Sequence, residues 1–227
     1  MILVFSCINK FLALRFPYQV YPRYGKVTMT RIRLNAKNRK ERIQDVALEL
    51  FLAKGFQKTT MQEIAEACDL SIGGFYHHYK NSTQILYDLM LRGDEIRKQQ
   101  LSLFKNDLPT SISTQEISKF IVDKILSRNK FQEMYVVFLQ ASQHNRELYD
   151  LYKKIEHKSI TDYQLIFKSC GYEFSDASWK YITDIINTLL VGQQILNTHN
   201  TFEQNRLFIE KCIDNILTQD IKGHKHG

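Results

Sequence analysis

Between Cys68 and Asn81 the chain reads CDLSIGGFYHHYKN, a stretch dense in residues suited to gripping a polyanion. Tyr76, His77 and Lys80 offer hydroxyl, imidazole and ammonium donors, the groups that bond phosphate oxygens. Ser71 has the side chain of a helix N-cap. The spacing predicts a short aromatic helix that opens there and runs to about Tyr79, with Gly73 and Gly74 in its first turn. Each glycine costs a helix about 0.5–1 kcal/mol relative to alanine. A pair of them is explained if the backbone must come close to another surface, because no Cβ stands in the way. The free amides of a helix N-terminus also favour anions. Small residues at the start of such a helix meet base edges in the major groove of DNA, while donors behind them hold phosphates. In the competing reading the glycines only permit tight helix packing and Tyr76 joins Tyr79 in the core. DNA contact is favoured because the capped helix, the tight turn and the aromatic helix occur together beside a basic arm. Tyr79, four residues after Phe75, is expected in the core either way.

Other chemistry finds less support. His77 and His78 are adjacent, so on a helix they point about 100° apart, whereas a helical ligand pair needs i, i+4 spacing. No metal site is expected, and His224 and His226 in GHKHG fall on a frayed tail. The chain has no phosphate-cradling glycine loop, no nucleophile elbow and no HExxH. No catalytic residue and no cofactor are assigned, and an all-helical enzyme without a motif is the rival class.

The elements that must position these residues are helical. Ile43, Val46, Ala47, Leu50 and Phe51 recur at i, i+3, i+4, i+7 and i+8, one buried stripe on a helix over about Ala36–Lys54. Gly55 is expected as its left-handed C′ residue, with Phe56 folding back. Thr60 and Glu63 form a capping box for a two-turn helix that buries Met61, Ile64, Ala65 and Cys68. A tight turn at Asp69–Leu70 then leads to Ser71, which makes a helix-turn-helix. Asn81 and Ser82 start a long helix through Ile85, Leu86, Leu89, Met90 and Ile96. Pro109 and Thr110–Thr114 mark a loop. Further helices carry Ile117–Ile125, the nearly all-apolar FQEMYVVFLQA, and Arg146 to about Cys170 with Gly171 as the stop. Two closing helices contain Trp179–Leu190 and Ile209–Leu217. With three prolines and no regular recurrence of turn residues, the fold class is all-α: an N-terminal three-helix domain and a larger helical body.

Charge is uneven. Residues 1–42 hold ten Lys or Arg against Glu41 alone, while the whole chain is +7, so the body is slightly acidic. A basic arm on such a body suits nucleic acid. Four scattered cysteines, Cys7, Cys68, Cys170 and Cys212, argue against a disulfide framework and for a reducing cytoplasm, with Cys68 and Cys212 on apolar stripes. MILVFSCI is too short to span a bilayer and no later run is long enough, so no membrane partner is expected. Met29 stands just ahead of the first strong helical pattern, so residues 1–28 are read as an upstream extension. The expected division is 1–35 extension, 36–82 DNA-binding domain, 83–221 helical body and 222–227 tail.

Residues 37 to about 92 also resemble the DNA-binding domain of TetR-type (tetracycline-repressor-like) regulators, through LFLAKGF, TTMQEIA and LSIGGFYHHYKN. The resemblance implies that Thr60 caps the supporting helix and donates to phosphate. It implies that Ser71, Ile72, Gly73 and Gly74 face bases, that Tyr76 and His78 approach phosphates, and that His77 does either. Two positions depart from the pattern. Ile72 stands where many relatives carry a polar residue, which suits a thymine methyl. Ser82 stands where a phosphate-binding lysine is common, with Lys80 as a substitute. The resemblance further implies an effector pocket in the body, for which Met134, Tyr135, Phe138, Tyr152 and Tyr163 bring apolar walls and hydroxyls. A single short reading helix binds weakly, and two copies on a two-fold axis reading half-sites about 34–36 Å apart solve this. The homodimer face is expected at Trp179, Ile182, Ile186, Leu189, Leu190, Ile209, Ile213 and Ile216. The function expected is a homodimeric repressor of a pseudo-palindromic double-stranded operator, released by a small molecule. An activator or architectural DNA binder of the same fold, without a ligand, is the alternative.

Overall fold

A computed structural model describes residues 36–107 and 112–224. The expected extension at 1–35, the loop around Pro109 and the end of the tail lie outside them. Among the described residues the structure is helical, with no strand. The chain divides into two units at Arg39/Lys40, and the hydrophobic core lies wholly in the second.

Helix α1 (Ala36–Lys54) buries Ile43, Ala47, Leu48 and Phe51, close to the expected stripe. It ends at Gly55, whose φ of 90° requires glycine, but the ψ of 147° is extended rather than left-handed helical. The chain therefore leaves α1 in a wider reversal than expected, through a 3₁₀ turn at Phe56–Lys58. Phe56 still folds back, edge-on to Phe51 with ring centres 5.1 Å apart. Helix α2 (Met61–Ala67) starts on the expected capping box, and α3 (Ile72–Tyr76) follows after one tight turn. Helix α4 (Ser82–Asp107) begins where the Asn81 side chain accepts from the Gln84 amide at 2.9 Å. At 26 residues it is roughly 39 Å long at 1.5 Å per residue.

The body comprises α5 (Thr114–Leu126), α6 (Lys130–Ser142), α7 (Arg146–Ser169), α8 (Asp176–Ile195), α9 (His199–Gln204) and α10 (Arg206–His224). Helix α9 was not expected; it is a single turn and a half with no buried residue, so it leaves no apolar period in the sequence. Helix α10 runs past the expected boundary at 221.

One core cluster spans both parts. Ile43, Phe51, Ile64, Phe75 and Tyr79 of the three-helix region share it with Ile85, Leu86 and Leu89 of α4 and with Met134, Phe138, Leu148 and Leu151 of α6 and α7. Polar links run alongside. Arg92 of α4 bonds Asp45 of α1 at 2.7 Å and lies over the Phe131 ring of α6, and Lys130 of α6 pairs with Glu49 of α1. Helices α1–α3 are thus packed onto α4 and the α6–α7 hairpin.

Candidate nucleic-acid interface

The supporting helix α2 is fixed at both ends. Thr60 Oγ1 accepts from the Glu63 amide at 3.2 Å, and Glu63 Oε2 accepts in return from the Thr60 amide at 2.9 Å. Lys54 bonds the same carboxylate at 2.5 Å, and these partners hold the Glu63 pKa at about 2. The Thr60 hydroxyl also donates to Glu63 Oε2 at 3.2 Å. Its one proton is therefore engaged within the box, and the expected phosphate donation from Thr60 is not set up here.

The turn between α2 and α3 is a Schellman motif. The Leu70 amide bonds the Ala65 carbonyl at 3.0 Å and the Asp69 amide bonds that of Glu66 at 3.1 Å. Asp69 takes the left-handed position, φ 55°, which is usually left to glycine. Its carboxylate meets Arg42 at 3.0 Å, both side chains exposed. Among the described residues the helix that stops at Gly171 closes with the same pair of bonds, and at Asn197, φ 52°, the Thr198 amide bonds the Gln193 carbonyl at 3.1 Å.

Ser71 then caps α3 by accepting from the Gly74 amide at 3.2 Å. Phe75 and Tyr79 are buried, which anchors the helix from below and turns its opposite side outward. Ser71, Ile72, Gly73, Tyr76, His77 and Lys80 are all exposed, Ile72 and Tyr76 by nearly half of their surface at 47% and 48%. A Cβ on Gly73 would meet nothing within 4 Å, so no neighbour among the described residues needs that glycine. A Cβ on Gly74 would stand 3.1 Å from Ser71 Oγ, so this second glycine also makes room for the cap.

Two expectations are corrected here. Helix α3 ends at Tyr76 rather than near Tyr79, because the chain tightens over His77 and His78 to swing Tyr79 inward. There the Tyr79 hydroxyl accepts from Gln44 and donates to Asp88, each at 3.0 Å, while Lys40 lies over its ring. His78, expected at a phosphate, is half-buried and already interacts within the chain. The donors on the open side are Tyr76, His77 and Lys80.

Elsewhere the placements are mixed. Met134 and Phe138, proposed as pocket walls, are fully buried in the shared core. Tyr135 bonds Asn187 at 3.3 Å and Tyr152 bonds the buried Glu156 at 2.6 Å. Burial and the neighbouring carboxylate push both phenols above their ordinary range, so they are neutral. Tyr163 lies apart, between the α5 and α8 aromatics. Of the expected dimer residues, Trp179, Ile182, Leu190, Ile209 and Ile213 are packed inside their own subunit, out of a partner's reach. Ile186, Leu189 and Ile216 are half-buried. The exposed apolar residues on these helices are instead Tyr181, Ile195 and Leu196 at α8, and Leu207 and Phe208 on α10, the last two 71% and 69% exposed. Cys212, expected on the buried stripe, shares that outer side. The sequence carries apolar residues on both sides of α10, so periodicity alone does not say which side is inside.

Among the described residues no helix is long and apolar enough to cross a membrane, and no three His, Cys, Asp or Glu group as metal ligands.

Residues 43–88 match the family of bacterial regulatory proteins described as the tetR family. An HTH-type transcriptional regulator of Staphylococcus aureus (strain USA300) is 22% identical over 179 residues, which cover 78% of this chain and 94% of the relative. Among solved structures, Salmonella enterica GusR aligns at a TM-score of 0.63 with 15% identity, over 82% of this chain and 98% of its own. AibR, solved in complex with isovaleryl coenzyme A and operator DNA, aligns at 0.50 with 20% identity, over 67% of this chain and 85% of its own. These structural likenesses carry the fold. The capped, glycine-opened helix α3 falls inside the matched segment, so this part of the chain is similar to the bacterial regulatory proteins of the tetR family.

Proposed function

We propose that two copies of this chain bind a pseudo-palindromic operator and release it when a small molecule enters the body. The observation that carries this reading is the start of α3, where Gly73 lies open beside exposed Ile72, with Tyr76, His77 and Lys80 behind them. Ser71, Ile72, Gly73 and Gly74 face base edges, Ile72 as an apolar contact. Tyr76, His77 and Lys80 hold phosphates. Residues up to 82 act as the reading domain and those from 83 as the effector and dimer domain.

The second copy sits on the outer side of α8 and α10, against Tyr181, Leu207 and Phe208. Large apolar residues left this exposed are the expected sign of a covered face. Phe208→Glu, which touches no core position, is expected to yield monomers in sedimentation and to lose operator binding together with dimerisation. Release works through α4, which shares one core with the reading helices and with α6–α7. A ligand with unequal affinity for two settings of α4 shifts the spacing of the two reading helices. AibR, crystallised with both an acyl coenzyme A and operator DNA, is a precedent for that arrangement in this fold. The free thiols Cys68, Cys170 and Cys212 are consistent with a cytoplasmic site of action.

The test is recovery of bound fragments from a genomic library, followed by anisotropy titration on the recovered site. Salt-sensitive binding of a two-fold site is the result expected. Retention of no fragment above background refutes the reading.

A further inference from the structure

Ser71, Ile72, Gly73 and Gly74 open α3, and only Ile72 among them carries a side chain that the fold does not use. The two glycines have none. The Ser71 oxygen caps the helix, accepting from the Gly74 amide at 3.2 Å. Ile72 is nearly half exposed, and it is neither in the core cluster that holds Phe75 and Tyr79 nor among the apolar side chains packed against that cluster. Tyr76, one turn further on, lies on the same side of the helix and is exposed to the same degree. Its ring stands edge-on to buried Phe75, centroids 6.4 Å apart, which braces this side from within.

An exposed isoleucine by itself needs no explanation. Its place does, because the opening turn of α3 holds no other free side chain with which to tell one base from another. The edges of the major groove present hydrogen-bonding groups on every base and a single apolar group, the C5-methyl of thymine. An all-carbon side chain pressed against a base amine or carbonyl strips its water and returns no hydrogen bond, which costs free energy. Against a methyl group both partners lose contact with water, which is favourable.

We infer that Ile72 is the specificity-determining side chain of α3 and reads the C5-methyl group of one pyrimidine in each half-site, a thymine in unmodified DNA. The inference rests on the operator-binding reading and deepens it by naming the feature of the base that is recognised. Contact with the methyl is blind to the exocyclic group at C4. Thymine and 5-methylcytosine are therefore favoured alike over their unmethylated counterparts, and methylation of a cytosine at this position strengthens binding.

The experiment is an anisotropy titration of the full chain, at fixed salt, on the operator recovered from the genomic library. Thymines of a half-site are replaced one at a time by uracil, which removes only the methyl. The sensitive position is then rebuilt as cytosine and as 5-methylcytosine, each opposite guanine. Burial of one methyl is worth about 0.8 kcal/mol, so uracil in one half-site should weaken binding about fourfold, and in both about fifteenfold. 5-Methylcytosine should exceed cytosine by the same factor. Ile72→Ala withdraws the carbon that meets the methyl, so both ratios should fall to about one, while the slope of affinity against salt stays as in the wild type because no phosphate contact is lost. Insensitivity to uracil at every thymine, 5-methylcytosine no tighter than cytosine, or a thymine-to-uracil ratio that survives in I72A each overturns the inference. A chain that binds its operator but ignores the methyl keeps its regulator role and loses this reading residue, whereas a chain that retains no DNA fails both readings.

Discussion

The start of α3 makes the most informative test, because fold stability and DNA binding should move in opposite directions. Gly73 has ordinary helical backbone and its Cβ position is open for 4 Å. Replacing it with alanine removes the flexibility of glycine in the unfolded chain and adds a better helix former. The fold should gain about 0.5–1 kcal/mol. Leucine at the same position should keep most of that gain, since no described atom lies within 4 Å of the Cβ position and the position is exposed. Gly74 behaves differently. Its Cβ would press on Ser71 Oγ at 3.1 Å and disturb the cap, so Gly74→Ala should lose up to about 1 kcal/mol, the usual worth of an N-cap. On DNA the order changes. If the α3 backbone lies against base edges, a leucine at 73 stands where the groove must close, and the operator affinity should fall at least about tenfold, or about 1.4 kcal/mol. Urea unfolding gives the first quantity and anisotropy titration on the operator gives the second. Gly73→Leu that is more stable and binds the operator with wild-type affinity refutes the placement of α3 in a groove. Gly73→Leu that unfolds refutes the open Cβ position.

Three further outcomes are expected. Asp69→Gly relieves a left-handed residue at φ 55° and gives up only an exposed ion pair to Arg42, so stability should rise by about 0.5–1 kcal/mol in thermal melts. Tyr79→Phe deletes the hydroxyl that joins Gln44 to Asp88 and leaves the buried Gln44 amide without its acceptor, at a cost of about 1–3 kcal/mol read as a lower urea midpoint. Glu63 has a folded pKa of about 2, below its ordinary 4.5. Its contribution is complete above pH 4.5 and is lost as pH falls from there toward 2. The Thr60 amide resonance of the folded protein should titrate near pH 2 and stop doing so in Glu63→Gln.

The helices around the reading site were legible because local rules decide them. The stripe of α1, the Thr60–Glu63 box, the Ser71 cap and the inward Tyr79 each depend on residues within one or two turns. Spacing and capping chemistry therefore locate them without any long-range contact. The short reach of α3 and the half-buried His78 were less legible. Both depend on how far the backbone must tighten to send Tyr79 to Gln44, thirty-five positions earlier in the chain.

What the sequence by itself determined is the all-helical architecture, the helix-turn-helix and the glycine-opened helix α3, since propensity, capping and periodicity are properties of neighbouring residues. What only the tertiary structure decided is which apolar side of a helix is inside and which distant residues meet. Trp179 and Ile213 proved to be core while Leu207 and Phe208 proved to be surface, although all four lie on apolar stretches. Arg97 and Trp179 stand apart in the chain and meet around Tyr163 only through packing. Burial is set by the other helices that a side faces, and no local pattern carries that information.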